Sequence, residues 1–342
     1  MFDAVLVGCG AMADGWLRAL RDTPELAAAV RLRGFVDLDP RRASALAARY
    51  GWTDALTGSD LPSALETLRP DLVFDLVVPS ARRQVVETAL VAGAHVLSEK
   101  PMAASLEEAR ALVAAAQQTG RLHAVVQNRR YLRGIRRVRA LIESGALGRL
   151  TQVHADFFIG AHFGGFREQM AHVLLLDMAI HTFDAARYLI GARPVAVYCR
   201  ETNPPGSWYA HGASAEALFD FEEGVTFNYR GSWCAEGADT SWEAHWRLVG
   251  TRGTLLWDGN EGFSAHVVAG DEGFRRPLRP IAVPDLSAPL IEGHAGVIAD
   301  FLRAVRSGHA PMTEGRDNIH SLAMVMAAIA SAETGRRQPV TP

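Results

Sequence analysis

The stretch AVLVGCGAMADGWLRAL, residues 4–20, decides how the first part of the chain is read. A short apolar run ends at Gly8, and beyond Gly10 the apolar residues Met12, Trp16 and Leu20 recur every four positions. The period changes from that of a strand to that of a helix across a glycine turn. That turn is G-x-G-x-x-A, with Ala13 in place of a third glycine. In a dinucleotide-binding βαβ unit, the first glycine permits the tight turn and the second lets the backbone approach a pyrophosphate, whose charge the helix N-terminus stabilises. Glycine pairs also occur in plain turns, so the meaning depends on the strands and helices beyond residue 20.

A second apolar run, RLRGFVDLDP (31–40), leads to Asp37, where a carboxylate can accept the adenosine ribose hydroxyls. Such a carboxylate repels a 2′-phosphate, which favours NAD over NADP; Arg41 and Arg42 soften that preference. Asp37 lies 27 residues beyond Gly10, and the connection around RDTPELAA (21–28) accounts for the extra length. The alternative is a solvated strand end before Pro40. Two further strand-helix units follow. DLVFDLVVP (71–79) runs into SARRQVVETALVAG (80–93), and HVLSEKP (95–101) into SLEEARALVAAAQQTG (105–120). Ser105 with Glu108 predicts a capping box and Gly120 a helix stop. The alternation predicts a doubly wound parallel sheet, whose ligands bind at the carboxyl ends of the strands. Gly10 and Lys100 both fall there.

Composition limits the function. The chain has 342 residues, 49% hydrophobic and 21% charged, enough for two domains with their own cores. A net charge of −3 offers no basic field for a phosphate backbone, so nucleic acid is not expected as a partner. Asp3 stands where a signal peptide carries basic residues, and apolar stretches such as LAMVMAAIASA (322–332) are too short for a bilayer, which takes about 20 residues. No membrane association is expected, and the location is read as cytoplasmic. Cys9, Cys199 and Cys234 are far apart and lack paired spacing, so neither disulfides nor a thiolate metal site is expected.

Of 35 Lys and Arg residues, only Lys100 is a lysine. Arginine stays charged in proteins, whereas an ammonium tuned by burial and neighbours can exchange a proton. Lys100 is therefore the candidate proton-handling cation, the alternative being an ordinary ion pair beside Glu99. In HVLLLDMAIHTFDAARYLI (172–190) apolar residues recur with helical spacing, and Asp177, His181 and Asp184 share one face. Titratable groups on a mostly buried helix are costly unless paired or functional. His181 reads as a general acid/base and Asp184 as its supporting partner; a structurally satisfied histidine is the alternative. His172 and Asp177 are five residues apart and fall on different sides of a helix, so no metal site is expected.

Together, the glycine turn, the acidic strand end, AGAHVLSEKPMAASLEEA (92–109) and LLLDMAIHTFDAARYLIG (174–191) resemble the glucose-fructose oxidoreductase / inositol dehydrogenase / MocA (Gfo/Idh/MocA) family. The resemblance extends through QNRRYLRGIRRVRALIESGALGRLTQV (127–153) and MTEGRDNIHSLAMVMAAIASAETGR (312–336). It implies an N-terminal Rossmann domain over 1–122 and a C-terminal α+β domain over 123–342 with a large open, mostly antiparallel sheet. It further implies hydride transfer between NAD(H) and a hydroxyl or carbonyl carbon of a sugar, sugar derivative or cyclitol. Lys100, Asp177 and His181 would be catalytic, the lysine hydrogen-bonding the reacting oxygen and Asp177 orienting hydroxyls. Cofactor contacts would come from Gly8, Gly10, Ala11, Met12, Asp37, Val78, Pro79, Glu99, Lys100 and Asn128. Substrate contacts would come from Lys100, Asn128, Arg167, His172, Asp177 and His181. Two positions depart from the family pattern: His172, Val173 and three leucines replace glycines before Asp177, and Arg83 falls where a histidine is usual.

After residue 150 the pattern is β. LTQVHADFFIG (150–160), VAVYCRE (195–201), SAEALFDFEEGVTFNYRGSW (214–233), AHWRLVGTRGTLLWDG (244–259) and SAHVVAG (264–270) predict an antiparallel meander with one covered face. The Pro-rich 271–290 reads as a surface loop, followed by helices near 293–307 and 315–335. The aromatic residues of this half read mainly as sheet core or a subunit interface, with some available to stack on a sugar ring. By resemblance, the open sheet would pair two or four copies. Two other functions stay open: a glycosidase of the same fold that uses NAD transiently, and a non-catalytic sensor of NAD or sugar.

Overall fold

A computed structural model describes all 342 residues. They form two compact units, Met1–Tyr131 with Leu290–Ile319, and Leu132–Pro289 with His320–Pro342.

The first unit is built on six parallel strands: β1 (Phe2–Val7), β2 (Val30–Val36), β3 (Leu56–Gly58), β4 (Leu72–Asp75), β5 (His95–Ser98) and β6 (His123–Val125). Their order is β3-β2-β1-β4-β5-β6, so the winding reverses between β1 and β4. A crevice opens at that reversal beyond the carboxyl ends of the strands, and the Gly8–Gly10 turn emerges there. Ala4 to Leu6 and Leu72 to Phe74 are fully buried, as strands covered on both faces must be. The helices are α1 (Ala13–Asp22), the single turn α2 (Pro24–Ala27), α3 (Pro40–Tyr50), α4 (Leu61–Leu68), α5 (Pro79–Val91) and α6 (Leu106–Thr119). Ser105 Oγ caps α6 by accepting the Glu108 N–H at 3.2 Å. The Glu108 carboxylate returns to the Ala104 N–H at 3.1 Å, one residue earlier than a standard capping box.

The sequence placed a domain boundary at 122, but β6 is the sixth strand of this sheet and residues 290–319 return to the unit. The reason is apolar burial. The helix Gly293–Ser307 puts Val297, Ile298, Phe301 and Leu302 into one core with Trp16, Leu17, Leu20 and Tyr131. Each such side chain contributes roughly 1.5–3 kcal/mol relative to exposure.

In the second unit, α7 (Arg133–Glu143) precedes β7 (Leu150–Phe158), and residues Leu174–Ala179 wind as a π-helix directly into α8 (Ile180–Ile190). Then come β8 (Pro194–Thr202), β9 (Ser214–Phe221), β10 (Thr226–Ser232), β11 (His245–Gly250), β12 (Gly253–Trp257), β13 (Phe263–Val268) and β14 (Leu278–Ile281). After α9, the 293–307 helix of the first unit, α10 (Gly315–Thr334) and β15 (Gln338–Pro339) complete the chain. The nine strands run β14-β13-β12-β11-β7-β10-β9-β8-β15. All neighbours are antiparallel except β7 and β10, which pair in parallel. A simple meander is therefore interrupted where β7 is inserted between β10 and β11. β14 lies inside the Pro-rich segment expected as a loop; as an edge strand it tolerates Pro280.

Along β9, and over His245–Leu248 of β11, buried positions alternate with more exposed ones. Phe219, Phe227, Tyr229 and Trp246 point to the covered face, and Phe183 of α8 packs on the first three with centroids 4.8, 6.1 and 5.2 Å away. On the other face Tyr198, Leu218 and Leu256 are exposed. α8 is thus keyed to the sheet by one aromatic side chain, which fixes the rotation of the helix bearing His181 and Asp184.

Candidate active site

The glycine turn has the shape a dinucleotide requires. Gly8 has φ +95°, and a Cβ there would meet the Leu76 carbonyl carbon at 2.7 Å, so no other residue fits. A Cβ on Gly10 would meet nothing within 4 Å, which leaves open space above the start of α1. The Asp37 carboxylate accepts the Cys9 N–H at 2.7 Å through Oδ2 and the Asp39 N–H at 3.0 Å through Oδ1. It ties the turn to the end of β2 and keeps a second lone pair on each oxygen for ribose hydroxyls. Arg41 is drawn to Asp39 at 2.9 Å, while Arg42 lines a cavity of about 560 Å³ with Cys9, Gly10 and Ala11. Met12 and Val78 are exposed, and Pro79 begins α5. Open backbone over Gly10, a helix N-terminus and an acidic strand end fit NAD.

Lys100 follows the carboxyl end of β5. Glu99 beside it is buried, with Oε1 accepting the Trp16 Nε1–H at 2.8 Å and lying 3.5 Å from His294 Nε2, and with Oε2 accepting the Lys100 N–H at 3.0 Å. Burial pushes its carboxyl up, but His294 and Trp16 outweigh this and hold it below the usual range. Glu99, expected as a cofactor contact, is therefore an internal anchor for the lysine turn. Asn128 Nδ2 lies 3.3 Å from His294 Nδ1, and Asn128 Oδ1 is buried without a partner in the chain. An unpaired buried acceptor of this kind is what a ligand amide or hydroxyl would satisfy.

A second anchor comes from Arg82, which is buried with Asp75. Its Nε donates to Asp75 Oδ2 at 2.8 Å, Nη2 donates to the Val77 carbonyl at 2.5 Å, and Nη1 donates to the Pro101 carbonyl. Burial raises the Asp75 carboxyl, with Arg82 opposing. One guanidinium thus ties the β4 end to the residue after Lys100, across a Lys100–Pro101 peptide that is cis. Sequence reasoning singled out Arg83 instead, which pairs with Glu87 at 2.9 Å on the exposed side of α5. It read Trp16 only as one of the apolar residues at helical spacing after Gly10 and passed over His294. Only helical phase on α5 separates Arg82 from Arg83, and no local signal marked the other two.

In the second unit the structure brings Arg167 to Asp177, Nε to Oδ2 at 3.0 Å. The guanidinium lies between the Phe163 and Phe166 rings, 5.0 Å from each centroid. Asp177 and His181 are partly buried. Asp184 is fully buried and accepts the Ser321 Oγ–H at 2.7 Å, with Arg187 at 3.7 Å. Asp177 sits in the π-helical stretch and His181 in α8, so the regular helix expected across 172–190 is wider wound at its start. π-helical turns of this kind occur often at functional sites. His172 was expected to touch substrate, but both its ring nitrogens face carboxylates: Nδ1 lies 2.5 Å from Glu201 and Nε2 3.4 Å from Glu333. No group of three or more potential metal ligands is present.

A doubly wound sheet in order 3-2-1-4-5-6 with this glycine turn defines a dinucleotide-binding domain. Residues 2–127 match the oxidoreductase family with an NAD-binding Rossmann fold, and residues 135–256 match the GFO/IDH/MocA C-terminal domain. The chain belongs to the GFO/IDH/MocA family and is an NAD-binding oxidoreductase. It is 27% identical to a D-apiose dehydrogenase of Paraburkholderia graminis over 343 residues, covering 98% of this chain and 88% of that one. It is 25% identical to an inositol 2-dehydrogenase of Rhizobium meliloti over 328 residues, covering 90% and 91%. Its fold matches the crystal structure of an oxidoreductase from Agrobacterium radiobacter in complex with NAD+, L-tartaric acid and magnesium. That match has a TM-score of 0.85 at 23% identity, covering 99% and 98% of the two chains. No helix is long and apolar enough to cross a membrane.

Proposed function

We propose that this protein oxidises a secondary hydroxyl of a sugar, sugar derivative or cyclitol, or reduces the corresponding carbonyl, with Lys100, Asp177 and His181 as its catalytic residues. The observation that carries the reading is the placement of the only lysine on a turn fixed from both sides, by Glu99 before it and by Arg82 on the Pro101 carbonyl after it. The relatives named as dehydrogenases of apiose and inositol support the substrate class. Bound at the glycine turn, NAD would accept the hydride in the oxidation and, as NADH, would donate it in the reduction. In the oxidation the reacting hydroxyl gives its proton to the neutral Lys100 amine and His181 serves as the acid/base that carries it on; in the reduction the Lys100 ammonium returns a proton to the carbonyl oxygen. Asp177 accepts hydrogen bonds from neighbouring hydroxyls while Arg167 holds its orientation. Asn128 offers its unsatisfied oxygen to the cofactor or the substrate.

NAD is the working cofactor, and Asp37 weights the site against a 2′-phosphate. A cytoplasmic setting suits a chain with three free cysteines. The exposed face with Tyr198, Leu218 and Leu256 is proposed to be covered by further copies of the chain, as dimer or tetramer, which light scattering on the purified protein checks.

The test is a panel of aldoses, cyclitols and aryl glycosides with NAD and NADP, followed at 340 nm for wild type and Lys100→Arg. NADH accumulates with at least one polyol. Lys100→Arg binds NAD normally but turns over at least ~100-fold more slowly, since charge is kept and proton exchange is not. Glycoside cleavage without NADH accumulation would replace the reading by the glycosidase. Tight NAD binding without turnover would replace it by the sensor.

A further inference from the structure

His172 is left-handed at φ +54° although it carries a Cβ. A left-handed L-residue is disfavoured by roughly tenfold or more, so something must hold it. Its imidazole lies between two carboxylates: Nδ1 is hydrogen-bonded to the buried Glu201 of β8 at 2.5 Å, and Nε2 faces the exposed Glu333 of α10 at 3.4 Å, within ion-pair distance. The Glu201 side chain is only 9% exposed, and a Cβ on Gly212 would fall 2.5 Å from its stem, so neighbouring backbone packs tightly against it. Burial raises the Glu201 carboxyl and His172 draws it back down. A buried carboxylate needs such a partner. The carboxylates approach opposite ring nitrogens, which leaves the imidazole no lone pair facing a substrate.

The carbonyl of His172 accepts the Leu176 N–H at 2.9 Å and so closes the first turn of the winding that contains Asp177. We propose that His172 is a positioning residue: clamped between Glu201 and Glu333, it fixes where that winding starts and thereby aims Asp177 and His181. The proposal rests on the catalytic assignment of those two residues. Its geometric basis is direct, because each residue of the winding turns by roughly a quarter of a revolution, so a start displaced by one residue turns Asp177 away from Arg167. Glycine at 172 would accept the left-handed backbone without the clamp. Asparagine tolerates that backbone and can donate one N–H to Glu201.

Hydrogen exchange and steady-state kinetics on the NAD-bound protein test this with His172→Ala, His172→Gly, His172→Asn and Glu201→Gln. Amides of 174–181 are expected to exchange at least ~10-fold faster in the alanine, glycine and glutamine variants, with 106–119 unchanged, and to recover most protection in the asparagine variant. On the best substrate of the panel, kcat should fall at least ~10-fold while KM for NAD stays within about 2-fold. Unchanged exchange in His172→Ala and Glu201→Gln overturns the clamp. Faster exchange with unchanged kcat overturns the positioning role, provided that Asp177→Asn and His181→Asn are inactive. Should those two variants be fully active, the catalytic assignment fails, and the positioning role that rests on it falls too; the exchange data still judge the clamp.

Discussion

Replacing Arg82 by methionine keeps the length of the side chain and removes its charge. The magnitude follows from burial: Arg82 is 1% and Asp75 0% exposed, so the substitution strands a carboxylate with no water to turn to. Removing one partner from a buried ion pair costs about 3–5 kcal/mol. The Val77 and Pro101 carbonyls also lose their donor, which places the effect at the upper end of that range. For a unit the size of Met1–Tyr131 with Leu290–Ile319, about 5 kcal/mol corresponds to a fall in Tm of roughly 10–20 °C. Without Arg82, Asp75 takes up a proton more readily still, so the loss should be smallest at acid pH and grow as pH rises. Removing both charges together, as Asp75→Leu with Arg82→Met, should restore a large part of the stability, because no buried charge is then left uncompensated. Calorimetry at pH 6 and pH 8 reads the stability, and NADH fluorescence titration reads the cofactor site. A change in Tm under about 2 °C for Arg82→Met would refute the claim that this pair anchors the lysine turn.

The glycine pair separates folding from binding. Gly8→Ala forces a Cβ against the Leu76 carbonyl at a left-handed position and should cost at least ~2 kcal/mol, whereas Gly10→Ala meets nothing and should keep Tm while weakening NAD binding. Melting curves and NAD titration on both variants check the contrast. His123 is buried, and burial, helped by Arg82, lowers its pKa to about 3. Its folded value lies below the unfolded one, so its contribution is full above pH 6.5 and is lost as pH falls towards 3, by about 1.4 kcal/mol per pH unit. His123→Gln should flatten the acid limb of a Tm-against-pH curve, and an unchanged limb would count against the assignment.

What was legible in the sequence depends on how far each structural reason reaches along the chain. The strand-to-helix change at Gly8, the Asp37 strand end and the Ser105 cap are decided within a few residues, and the structure has all three. The π-helical start at Leu174 was not legible, because Asp177 and His181 are four apart and satisfy α spacing equally well. The division between units was misplaced for a different reason: α9 reads as one more amphipathic helix, and only its packing on Trp16 and Tyr131 assigns it to the first core. The supports of Lys100 were hidden in the same way. Trp16 and Glu99 are 83 residues apart, and Asn128 and His294 are 166 apart, so no local period connects them.

The distribution of cations brings these scales together. Arg82 serves a carboxylate and two carbonyls, and Arg130 serves the Met312 carbonyl and Asp317. Arg139 serves Glu143 and the Tyr188 and Leu189 carbonyls, and Arg187 holds Ser321 beside Asp184. Each of these positions presents several acceptors in different directions, which a planar fork with five donors satisfies and a compact ammonium does not. Structural need therefore explains arginine wherever a buried cation bridges elements. At residue 100 the turn is fixed on either side through backbone atoms, by the Glu99 carboxylate on the Lys100 N–H and by Arg82 on the Pro101 carbonyl. A cation placed on a turn that others hold rigid is suited to chemistry on a bound molecule. Of the two cationic side chains, only lysine can give up its proton there.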